Sequence, residues 1–242
     1  MKRIAIIGAG ISGLFIANLL KKNSNYEITI FEKNSSINLD EGYGVQLSVN
    51  SIKLLNKIGF QELDDEKKYH PNKVDFYSNE EFEKICDLNI SDYNSSDCKY
   101  TTIKRSILIN FLKKGVDQFI KIKHDIESIV EEKNFIRISF RNKNTFECDC
   151  LIISDGVFSK SKSFISNRKN KIRYNQVLAI RGIFSKSLDH FNEKNISLFL
   201  GPNFHYVIYP INPNNNFNFI ALIKHKLSKD DLKNYFLFND SH

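Results

Sequence analysis

Four cysteines in 242 residues are too few and too scattered to form a disulfide framework. Only Cys148 and Cys150 are close, and on a strand they share a face. No second cluster accompanies them and the six histidines show no HExxH spacing, so no metal centre is expected. Free thiols in a reduced, cytoplasmic setting follow. Past residue 20 no apolar run reaches membrane-spanning length. The apolar start, Ile4 to Leu20 behind Lys2 and Arg3, has the outline of a signal peptide. It is interrupted by three glycines and has no small-x-small cleavage site before "KKNSN", so it reads as a buried strand and helix. Long basic runs are also missing. The 35 Lys and Arg against 28 Asp and Glu give a charge of +7, but they are scattered as pairs. Nucleic acid is therefore not an expected partner, whereas an anionic ligand or an acidic membrane surface would suit the charge.

What is present is an ordinary globular composition, 41% hydrophobic and 26% charged, long enough for one large domain or two small ones. Lys2 to Ile7 reads as a buried strand, Ile11 to Lys22 as a helix and Glu27 to Glu32 as a second strand, a β-α-β unit. Val45 to Leu47 follows, then a helix over 50–58 closed by Gly59. Residues 73–89 form a hairpin turning at "SNEE", "SDYNSSDCKY" is a polar loop, and a helix runs over 104–119. Three short strands, 126–130, 135–141 and 145–148, make a β-meander leading into "LIISDG". Four strand-like stretches, 174–184, 196–200, 205–209 and 217–224, close the chain. The fold is thus α/β at its start and β-rich at its end, with no internal repeat.

Gly8, Gly10 and Gly13 form GxGxxG between the first strand and helix. At this spacing the first glycine permits a tight turn, the second admits a pyrophosphate against the backbone, and the third lets helix pack on strand. The helix start offers free N–H groups to phosphate, with Ser12 in its first turn. Glu32, 19 residues beyond Gly13 and followed by Lys33, is placed to accept hydrogen bonds from an adenosine ribose. Its charge disfavours a 2′-phosphate, and FAD and NAD both remain open at this point.

Later segments narrow the choice. "EGYGVQLSVNSIKLLNKIGF" (41–60), Arg105 in "TTIKRSILINFL" and "CLIISDGVFSKSK" (150–162) follow the fingerprint in order. From residue 1 to about 224 the chain resembles the FAD-dependent aromatic hydroxylases, single-component flavoprotein monooxygenases that include the salicylate and ubiquinone-biosynthesis hydroxylases. The resemblance implies a Rossmann-like FAD-binding domain at 1–72 and 100–165 with an inserted β-meander. It implies the start of a mixed-sheet substrate domain at 73–99 and 166–242. It assigns Asp155 and Gly156 to the flavin pyrophosphate and NAD(P)H, Gly44 and Val45 to the flavin ring, and Arg105 to the phosphate-ribose part. Where such enzymes commonly carry an arginine this chain has Lys162, which removes a bidentate contact.

The implied chemistry is hydroxylation of a phenolic acid or quinone precursor with NAD(P)H and O2, FAD carrying the redox step. Activating a phenol needs a base or hydrogen-bond acceptor, and His205 and Tyr209, on one strand face, are the candidates. A quinone precursor would add a peripheral membrane contact. The family's second flavin motif, a Gly-Asp strand end, has no counterpart in "KLSKDDLKNYFLFNDSH". A truncated or split member is therefore expected, with apolar surface for a complementing C-terminal polypeptide or a homo-oligomer. The competing expectation is a dinucleotide-binding remnant without turnover. An NAD dehydrogenase is disfavoured, since no second nucleotide fold or acid/base pair follows residue 100.

Overall fold

A computed structural model describes residues 1–37, 43–166, 173–185, 192–228 and 230–232. Parts of three segments read from the sequence, the loop before Gly44, the basic stretch after "SKSKS" and the C-terminal tail, lie outside these. The chain opens with β1 (Lys2–Ile7), α1 (Ile11–Leu20) and β2 (Tyr26–Phe31), the expected β-α-β unit. Then come β3 (Gly44–Leu47), α2 (Val49–Asn56), β4 (Lys68–Tyr69), β5 (Lys73–Ser78), β6 (Lys84–Asn89) and β7 (Thr101–Lys104). Helix α3 (Arg105–Lys114) precedes β8 (Ile120–Lys121), β9 (Ile126–Glu131), β10 (Ile136–Phe140), β11 (Thr145–Cys148) and β12 (Cys150–Ile153). The short α4 (Ser161–Ser166) leads to β13 (Val177–Phe184), β14 (Ile196–Leu200), β15 (Phe204–Pro210) and β16 (Phe217–Lys224).

Contacts divide the chain into two compact units, 1–38, 109–174 and 228–242 in the first, 39–108 and 175–227 in the second. The described residues 43–72 and 100–108, expected from the sequence within the cofactor domain, cluster with the second unit.

The first unit holds a parallel sheet in the order β12-β1-β2-β8. Its strands read as continuous apolar runs because both faces are covered: Ile4 to Ile7 and Ile28 to Phe31 are all buried, and Thr29 alone among them is polar. The antiparallel β-meander β11-β10-β9 contributes Ile138, Phe140 and Cys148 to a core shared with Ala5, Ile7 and Phe31. The Phe31 and Phe140 rings lie 4.6 Å apart. Helix α3 ends at Lys114, short of the expected residue 119, and contacts with α1 account for it. The buried Asn18 donates to the carbonyls of Leu14 and Leu112 at 2.8 and 2.7 Å, and Lys21 Nζ donates to Gly115 O at 2.7 Å. A Cβ on Gly115 would lie 2.3 Å from Asn18 Oδ1, so the glycine and the two α1 side chains define the end of α3 together.

The second unit is built on a six-stranded sheet, β13-β16-β15-β14-β5-β6, in which only the β14–β5 pair is parallel. One face carries Tyr77, Phe199, Ile208 and Phe217, with the Tyr77 and Phe199 rings stacked at 4.9 Å. The other carries Ile196, Tyr209 and Ile211 with Ile90. Asp75, 1% exposed, pairs its charge with Lys84 Nζ and accepts from Asn195 Nδ2, both at 2.7 Å. A small sheet, β3-β7-β4, completes the unit. Strand β7 was not legible in the sequence, where Tyr100 closes a polar loop and a helix was expected from residue 104. Its residues Thr101, Thr102 and Ile103 are nonetheless buried and pair with both β3 and β4.

Candidate dinucleotide site

The turn between β1 and α1 is held by close backbone packing. Gly8 has φ +97°, its N–H donates to Phe31 O at 2.8 Å, and a Cβ on it would stand 2.5 Å from Ser154 O. A Cβ on Gly13 would fall 2.0 Å from Gly8 O and 2.7 Å from Ser154 Oγ. Gly10 differs: a Cβ there would meet nothing within 4 Å. The three glycines therefore do separate work. Gly8 and Gly13 are required by the protein itself, and Gly10 keeps the backbone bare on an open side, as an approaching pyrophosphate needs.

Gly10 is also the N-cap of α1, with no side-chain cap and no acidic residue in the first turn. The amides of that turn are left for an outside acceptor, and the helix dipole favours an anion there. Ser12 lies exposed in the same turn. Beyond β2, the Glu32 carboxylate accepts from Ala9 N–H at 2.9 Å and from Asn34 N–H at 3.0 Å. It thus braces the glycine turn as well as presenting its remaining lone pairs. Lys33 beside it is exposed.

From the other side comes the end of β12. Register pairs β1 with β12 from Ile4↔Cys150 to Ile7↔Ile153, which carries Ser154 and Asp155 directly against Gly8. Ser154 Oγ donates to Ile7 O at 2.7 Å and approaches Gly8 O at 3.2 Å. Asp155 Oδ2 accepts from Ser161 N–H at 3.1 Å, whereas its Oδ1 is buried without a hydrogen-bond partner. An orphaned carboxylate oxygen is costly unless a donor is delivered to it. A cavity of about 330 Å³ opens here, between Ser154, Asp155 and Gly156 on one side and Ser159, Lys162 and Ile165 on the other. Gly156, at φ +82°, leaves its wall open. An acceptor for a ribose diol, bare helix amides and a second carboxylate with an unused oxygen fit the phosphate and hydroxyl groups of a dinucleotide such as FAD.

The remaining expected residues lie in the second unit. Gly44 and Val45 open β3, and Arg105 opens α3 with its N–H donated to Tyr43 O at 2.7 Å. Gly44 is glycine for an internal reason, since its Cβ would lie 2.6 Å from Asn218 Cβ and 2.8 Å from Ile211 Cγ2. On β15, His205 is half-buried and Tyr209 only 1% exposed. Gln46 and Asn218 face the Tyr209 phenol, and burial, the dominant influence, drives its pKa well above the ordinary tyrosine value. Sequence reasoning missed Ser154 and Asn218. A serine ending an apolar strand before Asp-Gly was a visible signal; nothing in the sequence marks Asn218.

Among the described residues no cluster of three or more His, Cys, Asp or Glu is arranged to hold a metal. No described helix is long and apolar enough to cross a membrane.

Comparison with known proteins agrees with this geometry. Residues 6–40 match the NAD(P)-binding Rossmann-like domain. The chain is 26% identical over 196 residues to the 6-hydroxynicotinate 3-monooxygenase of Bordetella bronchiseptica, covering 77% of this chain and 49% of that protein. It is 27% identical over 172 residues to the salicylate hydroxylase of Pseudomonas putida, covering 67% and 38%. In fold it is similar to Klebsiella pneumoniae HpxO, whose structure is a complex with FAD and uric acid, at a TM-score of 0.82 and 16% identity over 94% of this chain and 57% of that one. The chain spans about half the length of the curated relatives it matches. In sequence the chain resembles FAD-dependent aromatic monooxygenases, and it shares the fold of HpxO.

Proposed function

We propose that this chain carries the FAD site, and the first part of the substrate-covering sheet, of a monooxygenase that hydroxylates a small phenolic acid or quinone precursor with NAD(P)H and O2. The observation that carries the reading is the interlock of Gly8 and Gly13 with Ser154 and Asp155, which joins the fingerprint turn to the Asp-Gly strand end. FAD, when bound, supplies hydride acceptance from NAD(P)H and oxygen activation. The chain's own tasks are binding, orientation and proton management.

In this reading the α1 amides and Gly10 receive the pyrophosphate, Glu32 the adenosine ribose, and Asp155 Oδ1 a further donor of the cofactor. Gly44, Val45 and Arg105 are assigned to the flavin ring and the phosphate-ribose part by the family resemblance. His205, half-buried, is the candidate acceptor for the substrate hydroxyl. Free thiols at all four cysteines suit a reduced, cytoplasmic setting. If the substrate is a quinone precursor, peripheral membrane contact supplies it.

Glu32→Gln tests the cofactor half. A glutamine has one acceptor oxygen for the amides of Ala9 and Asn34, so its NH2 meets a donor. Losing charge-assisted acceptance, each worth about 1.5–3 kcal/mol, is expected to weaken FAD binding about 10–100-fold. Unchanged FAD affinity by fluorescence titration would remove Glu32 from the site. The second reading is a catalytically inactive FAD- or dinucleotide-binding remnant, or a subunit that turns over only with a separate C-terminal half. Substrate-dependent NAD(P)H oxidation by the isolated chain separates the two.

A further inference from the structure

The small sheet of the second unit is joined to the large one by side chains acting as backbone partners. Gly44 N–H, at the start of β3, donates to Asn218 Oδ1 on β16 at 2.5 Å rather than to a neighbouring strand. Thr102 Oγ1 on β7 donates to the carbonyl of Pro210 at the end of β15. Asn218 and Thr102 are both fully buried. Behind this seam lies a polar chain. Tyr100 OH donates to Gln46 Oε1 at 2.7 Å, and Gln46 and Asn218 flank the Tyr209 phenol. Asn218 Nδ2 is buried but falls short of a standard hydrogen bond, so the short bond this side chain makes is the one from Gly44. Register places Tyr209 directly opposite Asn218 on neighbouring strands. Gly44, lacking a Cβ, is the residue that lets Asn218 approach.

Buried polar groups such as Asn218, Thr102 and Tyr209 are costly unless they are held in a fixed geometry. We propose that Asn218 is a positioning residue for β3, with Tyr209 and Gln46 as its support, and that the network fixes the main chain of Gly44 to Gln46 against the flavin ring. The inference rests on the proposed assignment of Gly44 and Val45 to that ring. It also gives Tyr209 a different task from the phenol-activating base expected from the sequence: buried opposite Asn218 on the neighbouring strand, it sets position.

Three variants test this, read with FAD as the probe. Asn218→Ala is expected to speed exchange of the Gly44 amide proton about 10-fold, the loss of roughly one hydrogen bond, and to shift the visible flavin band of the loaded protein. Asn218→Asp keeps the acceptor and is expected to restore Gly44 protection. Tyr209→Phe is expected to shift the flavin band while leaving the pH dependence of FAD reduction unchanged. Unaltered Gly44 exchange in Asn218→Ala overturns the proposal whether or not FAD is present. Faster exchange with an unshifted flavin band overturns it too, since the asparagine is then only structural. If Asn218→Ala does not fold, Gln46→Ala, at the exposed end of the chain, decides: a shifted band supports positioning and an unshifted one refutes it. If the parent chain fails to bind FAD, the assignment to the ring falls and this proposal with it, while the exchange data still show whether Asn218 holds Gly44.

Discussion

Gly13→Ala is expected to abolish FAD binding, with a loss of affinity of 100-fold or more, equivalent to about 2.7 kcal/mol. The added methyl group would stand 2.0 Å from the carbonyl oxygen of Gly8 and 2.7 Å from Ser154 Oγ. The first neighbour is backbone in a turn that is itself pinned: Gly8 donates to Phe31 O, and Ser154 holds the Ile7 carbonyl. Neither side can yield alone. Helix α1 must move away from β1, or the turn must open, and either shifts the first-turn amides from the position a pyrophosphate needs. Thermal stability is expected to fall as well, by about 1–3 kcal/mol for overpacking at a close-packed site. Gly10→Ala makes the contrast. Its φ of −80° suits any residue and its methyl would meet nothing within 4 Å, so it is expected to fold with an unchanged melting temperature and still bind FAD more weakly. Equal effects of the two substitutions on folding would contradict the division of labour among the three glycines.

Gly44→Ala is expected to destabilise the second unit by about 1–3 kcal/mol. The methyl group would overlap Asn218 Cβ at 2.6 Å and Cγ at 2.8 Å, and Ile211 Cγ2 at 2.8 Å. Asn218 is fully buried and cannot swing into solvent. Its displacement would also break the bond from Gly44 N–H. In a chain of this length each kcal/mol lowers Tm by roughly 2–4 °C, so calorimetry resolves the effect. A double variant with Asn218→Ala should lose less than the sum of the two single changes, because the asparagine causes most of the overlap. Strict additivity would mean that Gly44 and Asn218 are energetically independent, contrary to the geometry.

How far the sequence reveals this molecule depends on whether the determining contacts are local. The β-α-β unit was legible because strand, glycine turn and helix follow one another within 30 residues and each has its own pattern. The β-meander and the four closing strands were legible for the same reason. Strand β7 was hidden because its four residues are ordered by pairing with β3 and β4, partners far away in the chain. The early end of α3 was hidden because Asn18 and Lys21, some 90 residues upstream, set it. Site residues behave alike. Gly8, Gly13 and Glu32 announce themselves by spacing, and the Asp155–Gly156 strand end by its motif. Ser154 and Asn218 act through register with strands distant in sequence, which spacing cannot show. Gly44, expected at the flavin ring, has a second reason to be glycine that spacing does not show: a Cβ there would meet Asn218 and Ile211.

Whether this chain holds FAD through the Gly8, Glu32 and Asp155 sites is decided by the visible absorption spectrum of the purified protein, followed by titration with FAD if it is colourless. A bound-flavin spectrum is expected, present on purification or reached at micromolar FAD, and lost in Gly13→Ala. A folded chain with no flavin spectrum at saturating FAD would contradict it.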